Sequence, residues 1–269
     1  MSEIKINTEM LSGEPAINYT RCYVQCVDNM QLLKSQPNES VDLIYNDILY
    51  GTGRNFGEYQ DLKPKQDVIE SHYLPRLIEM KRVLKQNGSI YLQMDTRINH
   101  WMRILMDNVF GYDNFRNEIA WCYTVIQKEG KYFPRKHDVI LLYTKSDDYT
   151  FNTQYIPYKK SNKNNGVKSE NWEIKYKEFD ERGKAVEDYW VDLPMLNSMS
   201  KERLGYSTQK PKELIKRFVL ASSNENDVVA DYYLGSGTTA EVCKELNRNF
   251  IGCDIGQKAI EITKQRLSD

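Results

Sequence analysis

Residues 227–255, DVVADYYLGSGTTAEVCKELNRNFIGCDI, decide how the rest of the chain is read. An apolar run ending in Asp231 gives way to a turn carrying Gly235 and Gly237, then to a segment with helical spacing, then to a second apolar run, FIGC, ending in Asp254. The order is strand, glycine-rich turn, helix, strand, which is the repeating unit of a parallel α/β sheet. Glycines between a strand and a helix start let backbone amides approach a ligand, and a carboxylate ending the next strand accepts hydrogen bonds from ribose hydroxyls. The pair points to an adenosine-bearing cofactor. The spacing from Gly237 to Asp254 suits a nucleotide and adenosylmethionine equally.

The alternation continues toward the N-terminus. VDLIYN (41–46) is a short apolar run closed by Asp47 and a glycine-containing loop, the pattern of a buried parallel strand with a site at its carboxyl end. HYLPRLIEMKRVLKQNG (72–88) carries Leu74, Leu77, Ile78, Met80, Val83 and Leu84 at helical spacing, which predicts a helix closing at Asn87-Gly88 and feeding a strand over SIYLQM (89–94). Residues 100–109 predict a second amphipathic helix and 137–145 another strand, with Met94, Met102 and Met106 in the core. Periodicity weakens from about 146 to 206, where Asn, Lys, Ser and Gly cluster, and returns in PKELIKRFVLASS (211–223) and AIEITKQRL (259–267). The expectation is a single doubly wound, Rossmann-like α/β domain over residues 1–269, with an inserted recognition region at about 146–206.

Composition narrows the function classes. A chain of 269 residues buries a full core, and a formal net charge of −1 excludes a global positive field, so any basic face must be local. From Lys128 to Lys177 eleven basic side chains face six acidic ones, with aromatic residues interleaved. Arg135, Lys136, Lys159, Lys160, Lys163 and Lys168 are therefore candidate phosphate contacts, and a solvated lysine-rich loop is the equal competitor. Asp95, Arg97 and His100, after SIYLQM at its carboxyl end, are further candidates to approach a phosphate or a bound ligand. Five cysteines without metal spacing predict buried free thiols. His72, His100 and His137 share no ligand spacing, so they are assigned surface or packing roles and no metal site is expected. The polar, acidic N-terminus and the lack of a long apolar run predict a soluble cytoplasmic protein with no membrane partner.

A resemblance now becomes specific. TQKPKELI, then DYYLGSGTT, then FIGCD, resembles the DNA amino-methyltransferase family that modifies adenine N6 or cytosine N4, in which T-Q-K-P, D-P-F-x-G-S-G-T-T and F-I-G-x-D/E follow in that order. VDLIYNDILYGTGRNFGEY resembles the family's catalytic strand and loop, V-D-L-I-x-x-D-P-P-Y-x-T-G. CVDNMQLLKSQPNESVDLI, NFRNEIAW, PRKHDVILLYTK and DYWVDLP extend the similarity from about residue 20 to the end. The catalytic segment precedes the cofactor segment, as in the β group of the family.

The resemblance implies S-adenosyl-L-methionine as cofactor and DNA as partner. It implies that Asp47 and the carbonyl of Ile48, with Leu49 and Tyr50 completing the loop, hold the target amino group, Tyr50 stacking on the flipped base. It implies that Asp28, Thr208, Lys210, Asp231, Gly235, Ser236, Gly237, Thr238 and Asp254 hold the cofactor. Asp at position 47 favours adenine N6. Cytosine N4 methylation, or a DNA- or cofactor-holding paralogue supporting a partner enzyme, are the alternatives. A homodimer, a restriction nuclease and a partner subunit are the further partners it suggests. The family's two prolines are Ile48 and Leu49 here, and a third is Tyr232, so new N–H groups need partners wherever they are buried.

Overall fold

The structure, a computed structural model, describes residues 22–57, 59–123, 130–157, 181–197, 199–206 and 208–268. Its centre is an eight-stranded sheet. Five neighbouring strands run parallel in the order β1 (Cys22–Cys26), β10 (Asn249–Asp254), β9 (Val228–Asp231), β2 (Val41–Asp47) and β3 (Leu84–Met94). Beyond β3 lie β5 (His137–Thr144), antiparallel to it, β4 (Phe115–Cys122), antiparallel to β5, and β8 (Tyr189–Trp190), parallel to β4. A separate two-stranded ladder pairs β6 (Tyr155–Ile156) with β7 (Lys184–Ala185).

Side-chain alternation explains how both faces are covered. Ile44, Ile90, Leu92, Leu141 and Ala230 pack with Leu33, Leu77 and Met106, from α1 (Asn29–Ser35), α2 (Gln66–Val83) and α3 (Asn99–Phe110). Leu43, Tyr45, Tyr91, Ile140, Leu142 and Val229 pack with Phe218, Val242 and Ile260, from α4 (Lys212–Ser222), α5 (Thr238–Glu245) and α6 (Gln257–Ser268). Successive residues of one strand thus enter opposite cores, as in a doubly wound sheet with helices on both faces. Each of the leucines, isoleucines and valines among them contributes roughly 1.5–3 kcal/mol through burial. Met94, Met102 and Met106 are buried as expected.

The winding locates the site. From β2 the chain moves outward through α2 to β3, whereas from β9 it moves the opposite way through α5 to β10. The strand order therefore reverses between β9 and β2, and in open α/β sheets ligands bind in the crevice at the carboxyl ends of strands at such a point.

Several expectations need correction. The helix placed over 72–88 is Gln66–Val83, and Asn87-Gly88 lies inside β3. Val41 pairs with Leu84 and Leu43 with Ser89, so residues 85–88 form an irregularity in the ladder, pinned by Lys85 Nζ on both Asp42 oxygens at 2.8 Å. Sheet pairing thus overrides a local helix-stop signal. The thiols are not uniformly buried: Cys22, Cys243 and Cys253 are, whereas Cys122 is partly exposed and Cys26 exposed. Within the region 146–206, Tyr189–Trp190 forms β8 at the sheet's edge and Trp190 is buried. No helix among the described residues is long and apolar enough to cross a membrane.

Candidate active site

Four aspartates end or follow four adjacent parallel strands: Asp28 after β1, Asp254 on β10, Asp231 on β9 and Asp47 on β2. All four line one open cleft enclosing about 1170 Å³, its mouth included, together with Thr208, Lys210, Gly235, Ser236 and Thr238. Ile48, Leu49 and Tyr50 line it too. The fold therefore gathers the two sequence segments, about 180 residues apart, into one site.

At one end of the cleft Asp28 caps α1, accepting from the Met30 N–H at 2.8 Å, while its other oxygen meets Arg76 at 3.2 Å. Arg76 is itself held by Asn29 Oδ1 at 2.7 Å and the His72 carbonyl at 2.8 Å. Asp254 accepts from the N–H groups of Gly235 at 2.9 Å and Gly256 at 2.8 Å, which orients its carboxylate beside the glycine turn. The turn works differently from expectation at one position. Gly237 begins α5 in the left-handed region, at φ +75°, and a Cβ there would lie 2.3 Å from Thr263 Oγ1. Its missing side chain admits α6 rather than a ligand; Gly235, Ser236 and Thr238 form the cleft wall.

Asp231 is a buried support. Thr239 Oγ1 donates to it at 2.6 Å and the Tyr233 N–H at 3.0 Å, yet burial pushes its carboxyl up to about 7. The prolines absent from the chain are replaced by hydrogen bonds. The Tyr232 N–H donates to Asn46 Oδ1 at 2.7 Å and the Ile48 N–H to the Gln93 carbonyl at 3.1 Å, while the Leu49 carbonyl, which a proline would also present, accepts from Tyr73 Oη at 3.0 Å. A net hydrogen bond contributes about 0.5–1.5 kcal/mol, comparable with the roughly 0.4–1 kcal/mol lost with a compatible proline. The loop beyond is organised by buried Asp61, which accepts from the N–H groups of Gly51, Thr52 and Leu62 at 3.1, 2.7 and 2.8 Å. Gly51 has φ +65°, and a Cβ there would lie 2.7 Å from Ile98 Cγ2.

Asp47 is paired on both oxygens. Lys210 Nζ meets Oδ2, and the Tyr50 hydroxyl lies 2.8 Å from Oδ1. Burial pushes the Asp47 carboxyl up, and the Lys210 charge and the two hydrogen bonds offset part of that rise. The same Tyr50 oxygen is 2.7 Å from Asp138 Oδ2. Lys210 Nζ also sits 5.2 Å from the centre of the Tyr50 ring.

Sequence reasoning missed Asp138, Gln93, Asp61, Arg76 and His72. His72 packs on Tyr73 and also lines the cleft, with Nε2 3.3 Å from Tyr233 Oη, and burial followed by the Arg76 charge lowers it to about 4. The usable signal for Asp138 was a charged residue heading an otherwise apolar strand. Arg135 and Lys136 lie just before β5; Arg135 sits 5.9 Å from the Tyr132 ring, and the Lys136 carbonyl accepts from the Tyr123 N–H at 2.9 Å. Asp95 and Arg97 pair with each other, and His100 packs on Trp101 with ring centres 4.4 Å apart. Lys159, Lys160, Lys163 and Lys168 lie outside the described residues.

The N6/N4 methyltransferase family model, described as DNA methylase, matches residues 41–265, which include Asp47, the Gly-rich turn and Asp254. The chain belongs to that family. Type II methyltransferase M.HpaI from Haemophilus parainfluenzae is 37% identical to this DNA methylase over 248 residues, covering 90% of the chain and 73% of the relative. DNA adenine methyltransferase YhdJ from Escherichia coli is 30% identical over 246 residues, covering 89% and 80%. Among solved structures, the M1.HpyAVI–SAM complex superposes with a TM-score of 0.60 at 19% identity, covering 91% of this chain and 99% of that one, a likeness of fold. This DNA methylase uses S-adenosylmethionine to methylate an amino group in DNA. The cleft fits such a donor: acidic side chains line a pocket for a cationic sulfonium, and a glycine turn faces a strand-end carboxylate oriented by two backbone amides.

Proposed function

We propose that the enzyme methylates N6 of adenine, with Asp47 and the carbonyl of Ile48 accepting the two amino hydrogens and the Tyr50 ring stacking on the base. The observation that carries this reading is the position of Asp47: it ends β2 at the sheet's switch point, in the same cleft as Asp254 and the glycine turn. An aromatic amine is a poor nucleophile because its lone pair is delocalised into the ring. Two acceptors at its hydrogens draw the nitrogen toward tetrahedral geometry and free the lone pair. S-adenosylmethionine, when bound, supplies the electrophilic methyl group. Asp28, Asp254, Gly235, Ser236, Thr238 and Thr208 would hold it, with Asp231 bracing the turn from beneath. As nitrogen gains the methyl, its surplus proton passes to Asp47, whose buried carboxyl is suited to receive it.

Outside the cleft, Arg135 and Lys136 contact DNA phosphates, and the region 146–206 contributes to target recognition. The target base leaves the duplex at a cost of a few kcal/mol, since a stacked base cannot bring its amino group to Asp47. Incubation with unmethylated DNA and tritiated cofactor, followed by nucleoside analysis, tests the reading. N6-methyladenine is expected, with transfer by Asp47→Ala slowed about a hundredfold to a thousandfold. N4-methylcytosine would overturn the base assignment, and transfer by Asp47→Ala at the wild-type rate would remove Asp47 from the mechanism.

A further inference from the structure

The Tyr50 hydroxyl stands between two carboxylates, 2.8 Å from Asp47 Oδ1 and 2.7 Å from Asp138 Oδ2, and it has one proton to give. The two carboxylates do not need that proton equally. Asp138 already receives Tyr123 Oη on Oδ1 at 3.0 Å and Gln93 Nε2 on Oδ2 at 2.8 Å. Gln93 is fully buried and fixed in turn by Tyr45 Oη on its Oε1 at 2.7 Å, so the amide is oriented to donate. Asp47 has Lys210 on Oδ2, and the Tyr50 hydroxyl is its partner on Oδ1. In the substrate-free enzyme the phenol proton therefore belongs on Asp47.

An amino group arriving at Asp47 Oδ1 competes with that hydroxyl for the oxygen. A buried hydroxyl left with no acceptor would weaken the encounter by about tenfold to a hundredfold. Rotation about the Tyr50 C–O bond removes the difficulty, because Asp138 Oδ2 is already within hydrogen-bond distance and no heavy atom has to move. We propose that Asp138 is a positioning residue for methyl transfer: it takes over the Tyr50 hydroxyl when the target amine claims Asp47 Oδ1, and it holds the Tyr50 ring against the base through the exchange. A second cavity is lined by Tyr50, Trp121, Tyr123, Asp138, Arg203 and Lys210. Asp138 touches neither the donor nor the reacting nitrogen in this scheme. The inference rests on the reading that Asp47 receives the amine.

A double-mutant cycle in methyl transfer tests it, using Asp138→Asn, Tyr50→Phe and their combination, with cofactor affinity measured by calorimetry. Asp138→Asn should lower kcat by about tenfold to a hundredfold while cofactor Kd stays within about threefold. Tyr50→Phe has no hydroxyl to hand over, so it should cost less than about tenfold, and adding Asp138→Asn to it should cost less than about threefold more. Equal losses in both backgrounds, or an Asp138→Asn enzyme with unchanged kcat, would overturn the proposal. If Asp138→Asn fails to fold, Tyr50→Phe decides alone: a loss beyond about a hundredfold would make the hydroxyl indispensable and sink the exchange. Asp47→Ala runs in parallel. A loss of about a hundredfold or more in Asp47→Ala alongside a failed cycle condemns only the role of Asp138, whereas a wild-type rate in Asp47→Ala condemns the underlying reading.

Discussion

Asp254 holds the N–H of Gly235 at 2.9 Å across the gap between the end of β10 and the turn that follows β9. One bond therefore joins the two sequence features from which an adenosine ligand was inferred. A second, from the Gly256 N–H at 2.8 Å, fixes the other oxygen, so the carboxylate meets its ligand already oriented.

Replacing Asp254 should accordingly strike cofactor binding first. Hydrogen bonds to charged groups contribute about 1.5–3 kcal/mol, so Asp254→Ala is expected to weaken S-adenosylmethionine by roughly tenfold to a hundredfold. Isothermal calorimetry checks this, and an unchanged Kd would place the ribose elsewhere.

Asp47→Ala should separate chemistry from binding. Losing a preorganised acceptor at the reacting group costs about a hundredfold to a thousandfold in rate. Cofactor affinity should change by no more than about threefold. Single-turnover transfer from labelled cofactor, with calorimetry on the same preparation, gives both numbers.

Gly237→Ala is expected to destabilise the fold. The new methyl would collide with Thr263, and the backbone at φ +75° is strained for any residue with a Cβ. A cost of about 1–3 kcal/mol, at roughly 2–4 °C per kcal/mol, predicts a Tm about 2–12 °C lower. Gly237→Ala combined with Thr263→Ala should recover part of that drop, and a melting curve superimposing on the wild type would refute the close packing of α5 on α6.

Stability should depend on pH through Asp231. Its folded-state value, raised by burial to about 7 from 3.8, means that the native protein holds a proton in that interval which the unfolded chain has lost. This contribution is fully present below the unfolded value and disappears as pH rises through 7. His72, lowered to about 4, has the opposite sign, its contribution present above 6.5 and lost as pH falls through 4. Comparing Asp231→Asn with wild type cancels the histidine. The variant's advantage should widen by at least about 1 kcal/mol between pH 4.5 and pH 8 in urea unfolding, and a constant gap would contradict the assignment.

Removal of Arg135 and Lys136 should weaken DNA binding without changing which base is methylated. Every cation withdrawn from a phosphate lowers the slope of log K against log salt by about 0.9, so Arg135→Ala with Lys136→Ala is expected to reduce it by about 1.8. Titration of fluorescent duplex between about 50 and 200 mM salt measures the change.

What could be read in advance follows the sheet. Asp47, Asp231 and Asp254 each end an apolar run, and such a residue is marked by its own neighbours as lying at a strand's carboxyl end. Gln93 is marked by nothing local, and Asp138 only by its charge at the head of an apolar strand. They meet because β5 turns back antiparallel on β3, pairing Gln93 with Ile140 and Met94 with Val139, which brings the first residues of one strand to the last residues of the other. Asp61 escaped notice for a related reason: its partners Gly51 and Thr52 lie across a loop whose path no periodicity encodes. The end of α2 was misplaced because a local stop signal at Asn87-Gly88 competed with the pairing of Leu84 to Val41, and the pairing prevailed.

The attachment of β8 bears on how such an enzyme is re-engineered. Trp190 is wedged among Trp121, Phe218 and Leu214, Arg217 of α4 lies 4.7 Å from its ring, and the same guanidinium grips Asp192 at 3.1 and 2.5 Å. A chimera that exchanged residues 146–206 wholesale to alter sequence preference would pull a tryptophan from the hydrophobic interior and leave an arginine without its counter-ion. Transplants bounded by Pro157 and Gly183 would leave that anchorage in place, so the junctions, more than the donor segment, determine whether the hybrid folds.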